Sequence, residues 1–143
     1  MECSVTKIYQ PLHARKLFRP LILNRVAAGF PAPADDYIEG RIDLNRDLLR
    51  HPLATFYLRV TGDSMEPLIQ SGALVIVDRM AETCDKNIIV ARLGNELCIK
   101  RLRILDSGEI LLCSENPKYQ PIIIQLDEDF EIWGKVLHAI HTF

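Results

Sequence analysis

The chain has 143 residues, of which 48% are hydrophobic and 25% are charged, with a formal net charge of −2. This suits one soluble globular domain with its own core, and the longest apolar runs are far too short to cross a bilayer. The cysteines are widely spaced without a CxxC pair, which predicts reduced thiols in a cytoplasmic protein and excludes a disulfide framework or zinc site. The first residues lack the basic and then apolar layout of a secretory signal. His138 and His141 have no companions at ligand spacing, so we expect no metal or other cofactor.

Charge is unevenly divided along the chain. Residues 1–28 carry five basic residues and one acidic residue, a net charge of +4, whereas the remainder carries a net charge of −6. Pro11 and Pro20 interrupt any long helix in this first segment, which lacks sustained periodicity. We therefore predict a flexible, extended, basic N-terminal arm over residues 1–28. Such an arm could dock on the acidic remainder, serve as a nucleic-acid tail or simply be solvated.

The stretch V-A-A-G-F-P-A-P-A-D-D-Y, residues 26–37, follows this arm. Its small residues, glycine and two prolines predict an exposed, extended segment. A protease could draw such a segment into its cleft as a strand. A plain linker has the same composition, and composition alone favours the linker.

Regular secondary structure is predicted from Asp43 onward. Asp43 can cap a short helix that ends before Pro52. Short β-rich runs follow, separated by the turn residues Gly72, Gly94-Asn95 and Asp106-Ser107-Gly108. These features predict a compact, mostly antiparallel β domain from about residue 54 onward. The runs are F-Y-L-R-V, A-L-V-I-V, N-I-I-V-A-R-L, N-E-L-C-I-K-R-L-R-I, E-I-L-L-C, P-I-I-I-Q and F-E-I-W-G-K-V-L-H-A-I.

The stretch T-G-D-S-M-E-P, residues 61–67, lies between two of these runs at a glycine-containing bend. Met65–Gln70 has the pattern of one helical turn with Ser64 at its N-terminal end. The backbone N–H groups of Ser64 and Met65 would then point outward and could hold a developing oxyanion. A serine hydroxyl is a poor nucleophile unless a base takes its proton, and no histidine lies nearby in the sequence. Either this is an ordinary turn, or the base is another residue type.

The run E-L-C-I-K-R-L-R-I, residues 96–104, offers a candidate base. Alternate side chains of a strand share a face, so Lys100 points with Cys98 and Leu102 while two arginines lie on the other face. A charged ammonium among apolar side chains is poorly solvated, and loss of its proton relieves that cost. The neutral amine could then accept the proton of Ser64. In the alternative, Lys100 reaches outward or pairs with a carboxylate such as Glu96.

Several motifs together resemble a known family. They are G-D-S-M, C-I-K-R-L, F-P-A-P-A-D-D-Y-I-E-G-R-I-D-L-N and F-E-I-W-G-K-V-L-H. From about residue 26 onward the chain is similar to the UmuD family of SOS mutagenesis proteins, which belong to the LexA-like, self-cleaving serine peptidases (S24-like). The resemblance implies a mostly β, LexA-like peptidase domain over residues 29–143 behind the arm. It also implies a Ser/Lys dyad, with Ser64 as nucleophile, Lys100 as general base and Ala28–Gly29 as the bond that is cut.

The sequence departs from the family pattern at two places. S-M-E-P-L-I-Q-S-G is one residue shorter than in UmuD-type proteins and is more similar to the S-M-E-P form of phage and LexA-like repressors. Lys86-Asn87 stands where relatives usually have Gly-Asp. The second departure concerns the geometry of a turn and not the candidate catalytic residues.

The resemblance implies a DNA-damage function. RecA filaments on single-stranded DNA would stimulate self-cleavage, and the shortened homodimer would join a UmuC-type Y-family polymerase in error-prone translesion synthesis, without sequence-specific DNA binding. The alternative is a self-cleaving regulator of the LexA or phage-repressor type that lacks its DNA-binding domain. The short segment before the bond and the acidic remainder disfavour specific DNA contact. A signal-peptidase-like enzyme would need a membrane anchor, and a β-rich interaction module would need no catalysis.

Overall fold

In a computed structural model, the described residues are 4–10, 16, 19–22 and 38–143. Over these residues the chain forms ten β-strands, one short α-helix and a 3₁₀ turn at Pro52–Ala54. The elements are β1 (Ser4–Tyr9), β2 (Arg19–Ile22), β3 (Ile38–Ile42), α1 (Leu44–Leu48), β4 (Thr55–Thr61), β5 (Leu74–Asp78), β6 (Ile88–Leu93), β7 (Glu96–Ile104), β8 (Ile110–Cys113), β9 (Ile122–Ile124) and β10 (Phe130–Ile140). The described part of the chain is therefore mostly β, as predicted.

Antiparallel strands close into a six-stranded barrel in the order β1-β4-β5-β10-β6-β7. Closure depends on β1, which pairs with β4 and also meets β7 where Ser4 lies opposite Cys98. β8 and β9 extend the sheet outward from β7, and β2 and β3 pair as a separate two-stranded sheet. Because the barrel is closed, its strands find hydrogen-bond partners on both sides without a further chain.

β10 is the strand that connects the two halves of the barrel, pairing first with β6 and then with β5. Its register shifts between Ile132 and Gly134 and again between Val136 and His138. Such bulges bend a strand, and the bends allow β10 to pair with β6 along its first half and with β5 along its second half. A Cβ at Gly134 would lie 2.6 Å from Cγ1 of Val77, so the backbone at this bend approaches β5 too closely for a side chain.

The central strands are buried on both faces. On β6, Val90 packs into the barrel interior while Ile89 and Ala91 pack into a second cluster under β8 and β9. This explains why the run N-I-I-V-A lacks the alternation of a half-exposed strand. The interior cluster comprises Leu58, Val60, Met65, Ile69, Ala73, Val75, Val77, Val90 and Ile99, and the second comprises Ile89, Ala91, Leu102 and Leu112.

The regular elements predicted after Asp43 are confirmed. Each predicted β-rich run forms a strand with ends within one or two residues of those expected. Asp43 caps α1, because its Oδ1 atom accepts a hydrogen bond from the N–H of Asn45 at 3.1 Å. The bend at Gly108 has a φ of 88°, which suits the predicted glycine turn.

β1 is a barrel strand that the sequence pattern does not predict. It lies within the segment expected to form a flexible arm, yet Val5 packs against the interior cluster and the Ser4 and Thr61 hydroxyls are 3.0 Å apart. The stretch is short, and its partners β4 and β7 lie far away in sequence, so no local periodicity marks it. The expected end of the arm at residue 28 lies outside the described residues.

Candidate active site

Ser64 lies in a chain of turns between β4 and β5. The N–H of Glu66 donates to the carbonyl of Asp63 at 3.1 Å, and the N–H of Ile69 donates to the carbonyl of Met65 at 2.8 Å. The predicted helical turn is thus present as a single turn and not as a longer helix. Met65 and Ile69 belong to the barrel core, which anchors the turn and fixes the backbone on which Ser64 stands.

β7 brings Lys100 to this serine. Nζ of Lys100 lies 3.3 Å from Oγ of Ser64, and the two residues have exposed fractions of 1% and 0%. The two residues predicted to form a dyad are therefore in contact. The alternative prediction, in which Lys100 reaches outward and pairs with Glu96, is wrong. Lys100 is buried, whereas Glu96 is exposed at the start of β7.

The surroundings of Lys100 supply hydroxyl groups and an aromatic ring. Nζ donates to Oγ of Ser114 at 2.8 Å and lies 5.7 Å from the ring centroid of Tyr119. Over the part of the chain that the structure describes, Lys100 forms no ion pair with a carboxylate. The amine therefore has two hydroxyl oxygens, those of Ser64 and Ser114, within hydrogen-bond distance.

The loop after β8 buttresses the serine turn, and the sequence pattern does not predict this role. The backbone N–H of Asn116 donates to the carbonyl of Ser64 at 2.9 Å, and its side-chain Nδ2 donates to the carbonyl of Asp63 at 3.0 Å. The hydroxyl of Tyr119 donates to the carboxylate of Asp63. S-E-N-P-K-Y has the composition of a turn, and that signal marks a loop without indicating which distant segment it contacts.

The Tyr119 hydrogen bond also sets the charge of the serine turn. Donation from the Tyr119 hydroxyl lowers the pKa of Asp63 below its usual value, while partial burial acts in the opposite direction. Hydrogen bonds to a carboxylate favour its ionised form. Asp63 is therefore an anion at neutral pH, one residue before Ser64.

The two arginines of β7 point away from the dyad, as the strand alternation predicts. Arg101 pairs with Glu115, and its Nη1 donates to the carbonyl of Lys86 at 2.7 Å. Nε of Arg103 donates to Oδ1 of Asp85 at 3.1 Å. The N–H of Ile104 and then Arg103 lower the pKa of Asp85. Arg101 thus holds the residue next to Ser114 from the face opposite Lys100.

A sequence profile of the Peptidase S24-like family matches residues 20–137. The chain belongs to the Peptidase S24-like family. It is 37% identical over 124 residues to Protein ImpA of Escherichia coli, an alignment that covers 86% of this chain and 83% of that protein. It is 38% identical over 123 residues to Protein MucA of Escherichia coli, covering 85% of this chain and 83% of that protein.

A more distant S24 relative is the LexA repressor of Bordetella parapertussis. It is 36% identical over 137 residues, covering 95% of this chain and 62% of that protein. The resemblance to UmuD-like, self-cleaving serine peptidases inferred from the sequence motifs is confirmed.

Ala28 and Gly29 lie outside the described residues, so the bond that is cut stays a prediction. The oxyanion role of the Ser64 and Met65 N–H groups also stays a prediction. Within the described ranges, no group of three or more histidine, cysteine or carboxylate residues could hold a metal ion. No helix there is long and apolar enough to span a membrane.

The backbone conformation of Lys86 shows how this chain forms the turn at which its sequence departs from the family pattern. Lys86 has a φ of 73°, in the left-handed region that glycine adopts without strain. Its N–H still donates to the carbonyl of Leu102 at 2.8 Å, so the turn keeps its contact with β7. This S24 chain therefore forms the turn with a lysine at a position that suits glycine, at a cost to stability and without displacing Lys100.

Proposed function

We propose that the protein cleaves itself at Ala28–Gly29, with Ser64 as nucleophile and Lys100 as general base. The observation that carries this proposal is the 3.3 Å contact between Nζ of Lys100 and Oγ of Ser64 in a fully buried setting. The neutral amine accepts the hydroxyl proton while Oγ attacks the carbonyl carbon of Ala28. The N–H groups of Ser64 and Met65 donate hydrogen bonds to the carbonyl oxygen and so stabilise the negative charge that develops on it.

The second half of the reaction returns the proton. Collapse of the tetrahedral intermediate breaks the bond to Gly29, and the ammonium of Lys100 protonates the departing amine. This leaves an ester between Ser64 and Ala28. The amine of Lys100, neutral again, takes a proton from a water molecule that attacks this ester and then passes the proton to Oγ of Ser64, which releases residues 1–28 and regenerates the serine hydroxyl.

Intact-mass measurement over a pH series tests this proposal. Because only the neutral amine is a base, the first-order rate of conversion to residues 29–143 should rise from neutral toward alkaline pH without any partner. Ser64→Ala and Lys100→Arg should abolish the product, since arginine stays protonated. Lys118→Arg, at an exposed lysine, is the matched control and should cleave as the wild type does. A flat profile, or cleavage by Ser64→Ala, would contradict the proposal.

We further propose that cleavage switches the protein between partners. Removal of residues 1–28 takes a net charge of +4 from a remainder of −6, and it also removes β1, which leaves the edges of β4 and β7 without that partner strand. The resemblance to UmuD-type proteins supports stimulation by RecA filaments on single-stranded DNA. It also supports a homodimeric product that joins a UmuC-type Y-family polymerase.

This switch predicts a difference between the two forms. The polymerase should bind residues 29–143 more tightly than the uncleaved Ser64→Ala chain, and sedimentation should give both as dimers. Equal binding of the two forms would refute the switch without affecting the chemistry.

We also place the reaction in the cytoplasm, consistent with the absence of a disulfide among Cys84, Cys98 and Cys113 of the described chain.

A second candidate function is favoured by the LexA match. In a self-cleaving regulator the same dyad would inactivate a DNA-binding protein, and the repressor aligns with 95% of this chain. The net charge of −6 after residue 28 opposes contact with DNA phosphates. An electrophoretic shift of specific duplex DNA by the uncleaved protein, lost on cleavage, would favour this candidate over the polymerase subunit.

A further inference from the structure

We propose that Ser114 is a positioning residue for self-cleavage, whose hydroxyl holds the amine of Lys100 in line with Ser64. This inference rests on the proposed function, because it concerns the base of that reaction. Nζ of Lys100 lies 2.8 Å from Oγ of Ser114 and 3.3 Å from Oγ of Ser64. The closer hydroxyl is therefore not the nucleophile but a second serine that no sequence motif identifies.

The fold explains how Ser114 reaches this place. Cys113, the last residue of β8, lies opposite Arg101 of β7, so the next residue of the chain emerges beside Lys100. Glu115 is held by Arg101, which fixes the backbone that follows Ser114. Two fixed points therefore flank Ser114, and its hydroxyl is a rigid acceptor for the amine.

The loop after β8 contacts both the proposed base and the proposed nucleophile. Ser114 contacts the base, and two residues later the N–H of Asn116 donates to the carbonyl of Ser64 at 2.9 Å. A lysine side chain has four rotatable bonds, and its amine acts as a base only when it stays within hydrogen-bond reach of the serine. One loop thus fixes the distance between nucleophile and base from both sides.

Ser114 also affects the protonation of the amine. Its Oγ accepts a hydrogen bond from Nζ, an interaction that is stronger for the ammonium than for the neutral amine. The cross-strand neighbour of Lys100 on β6 is the apolar Ile89, the ring centroid of Tyr119 lies 5.7 Å from Nζ, and Cys98 lies on the same face of β7. The nearby charges are already engaged, since Asp63 is bound by Tyr119 and Glu115 by Arg101.

Two opposite effects are therefore expected from Ser114→Ala. Loss of the acceptor lets the amine leave its position, so the plateau rate of self-cleavage at alkaline pH should fall by about fivefold to tenfold, comparable to losing one hydrogen bond between neutral groups. Loss of the acceptor also disfavours the ammonium, so the rate should reach half its plateau at a lower pH than in the wild type. A purely structural role would not move this half-maximal pH.

The experiment measures intact mass over time across the pH series for four proteins. They are the wild type, Ser114→Ala, Ser114→Thr and the control Ser107→Ala. Ser114→Thr keeps the hydroxyl and should recover most of the plateau rate and the wild-type half-maximal pH. Ser107 is an exposed serine whose hydroxyl donates to Oε2 of Glu109 at 3.0 Å, so its replacement should change neither quantity. Thermal unfolding of each variant reports whether the fold is kept.

The outcomes separate this inference from the proposed function. A lower plateau with a lower half-maximal pH in Ser114→Ala, recovered in Ser114→Thr, supports it. An unchanged rate and profile would overturn it, as would a lower rate with an unchanged or higher half-maximal pH. If the wild type itself does not cleave at any pH, the proposed function fails and this inference falls with it.

Discussion

Tyr119 and Asp63 are joined by a hydrogen bond across 56 residues of sequence, in which the phenol hydroxyl donates to the carboxylate. The bond ties the loop after β8 to the turn that carries Ser64. It also lowers the pKa of Asp63, so a contact that positions the nucleophile can be followed by titration.

Replacing Tyr119 with phenylalanine should raise the pKa of Asp63 toward its ordinary value. In the wild type the folded-state pKa lies below the unfolded value of about 3.9. The ionised carboxylate therefore stabilises the fold above that pH, and this contribution is lost as the pH falls through the lower folded-state pKa. The loss of stability in acid should consequently be smaller in Tyr119→Phe.

Carboxyl carbon NMR titration of Asp63 and unfolding at several pH values measure this effect. Tyr57→Phe is the matched control, because the hydroxyl of Tyr57 donates to Oδ1 of Asn45 at 2.9 Å and does not contact Asp63. An identical Asp63 titration in the wild type and Tyr119→Phe would show that the hydrogen bond does not set this pKa.

Asn116 should contribute to both stability and cleavage. Asn116→Ala keeps the backbone bond to Ser64 but removes the Nδ2 donor to the carbonyl of Asp63, and should lower the free energy of unfolding by about 1 kcal/mol. Asn116→Asp should be worse in both respects, because a carboxylate cannot donate there and would lie near the ionised Asp63. Denaturant unfolding and the cleavage rate check this order, and an aspartate variant as active as the wild type would contradict it.

Lys86→Gly should stabilise the protein. A left-handed conformation costs a residue with a side chain about 1–2 kcal/mol, and the greater unfolded-state entropy of glycine offsets part of this gain. We expect a net increase of up to about 1 kcal/mol in the free energy of unfolding, measured with denaturant. Lys118→Gly, at an exposed lysine without a positive φ, should instead be neutral or destabilising. An equal change in the free energy of unfolding for Lys86→Gly and Lys118→Gly would show that the positive φ of Lys86 is not the cause.

Gly134→Ala should destabilise the barrel by about 1–3 kcal/mol, because the new Cβ would meet Cγ1 of the buried Val77 at 2.6 Å and the carbonyl of Asp78 at 3.3 Å. Thermal and denaturant unfolding measure this cost. Gly40→Ala, where a Cβ would meet nothing within 4 Å, is the control. Combining Gly134→Ala with Val77→Ala should cost less than the sum of the two changes, since the second removes the contacting methyl group.

Features that depend on neighbours in the sequence were predictable from the sequence. Asp43 caps α1 through its own side chain, and Gly108 has the positive φ that its turn requires. The strand period placed Lys100 on a different face from Arg101, and four short motifs taken together indicated the family. Each of these signals spans a few residues, over which the chain's local geometry is fixed by sterics and turn chemistry.

The tertiary structure alone decided which distant segments meet. Ser4 pairs with Cys98 to close the barrel, and Ser114, Asn116 and Tyr119 gather around a serine turn that lies about fifty residues earlier in the chain. Short polar loops and a six-residue strand have the same local pattern wherever they dock. Their partners are selected by strand register and core packing, which are properties of the assembled barrel, and these are what bring an amine into contact with the hydroxyl it is proposed to deprotonate.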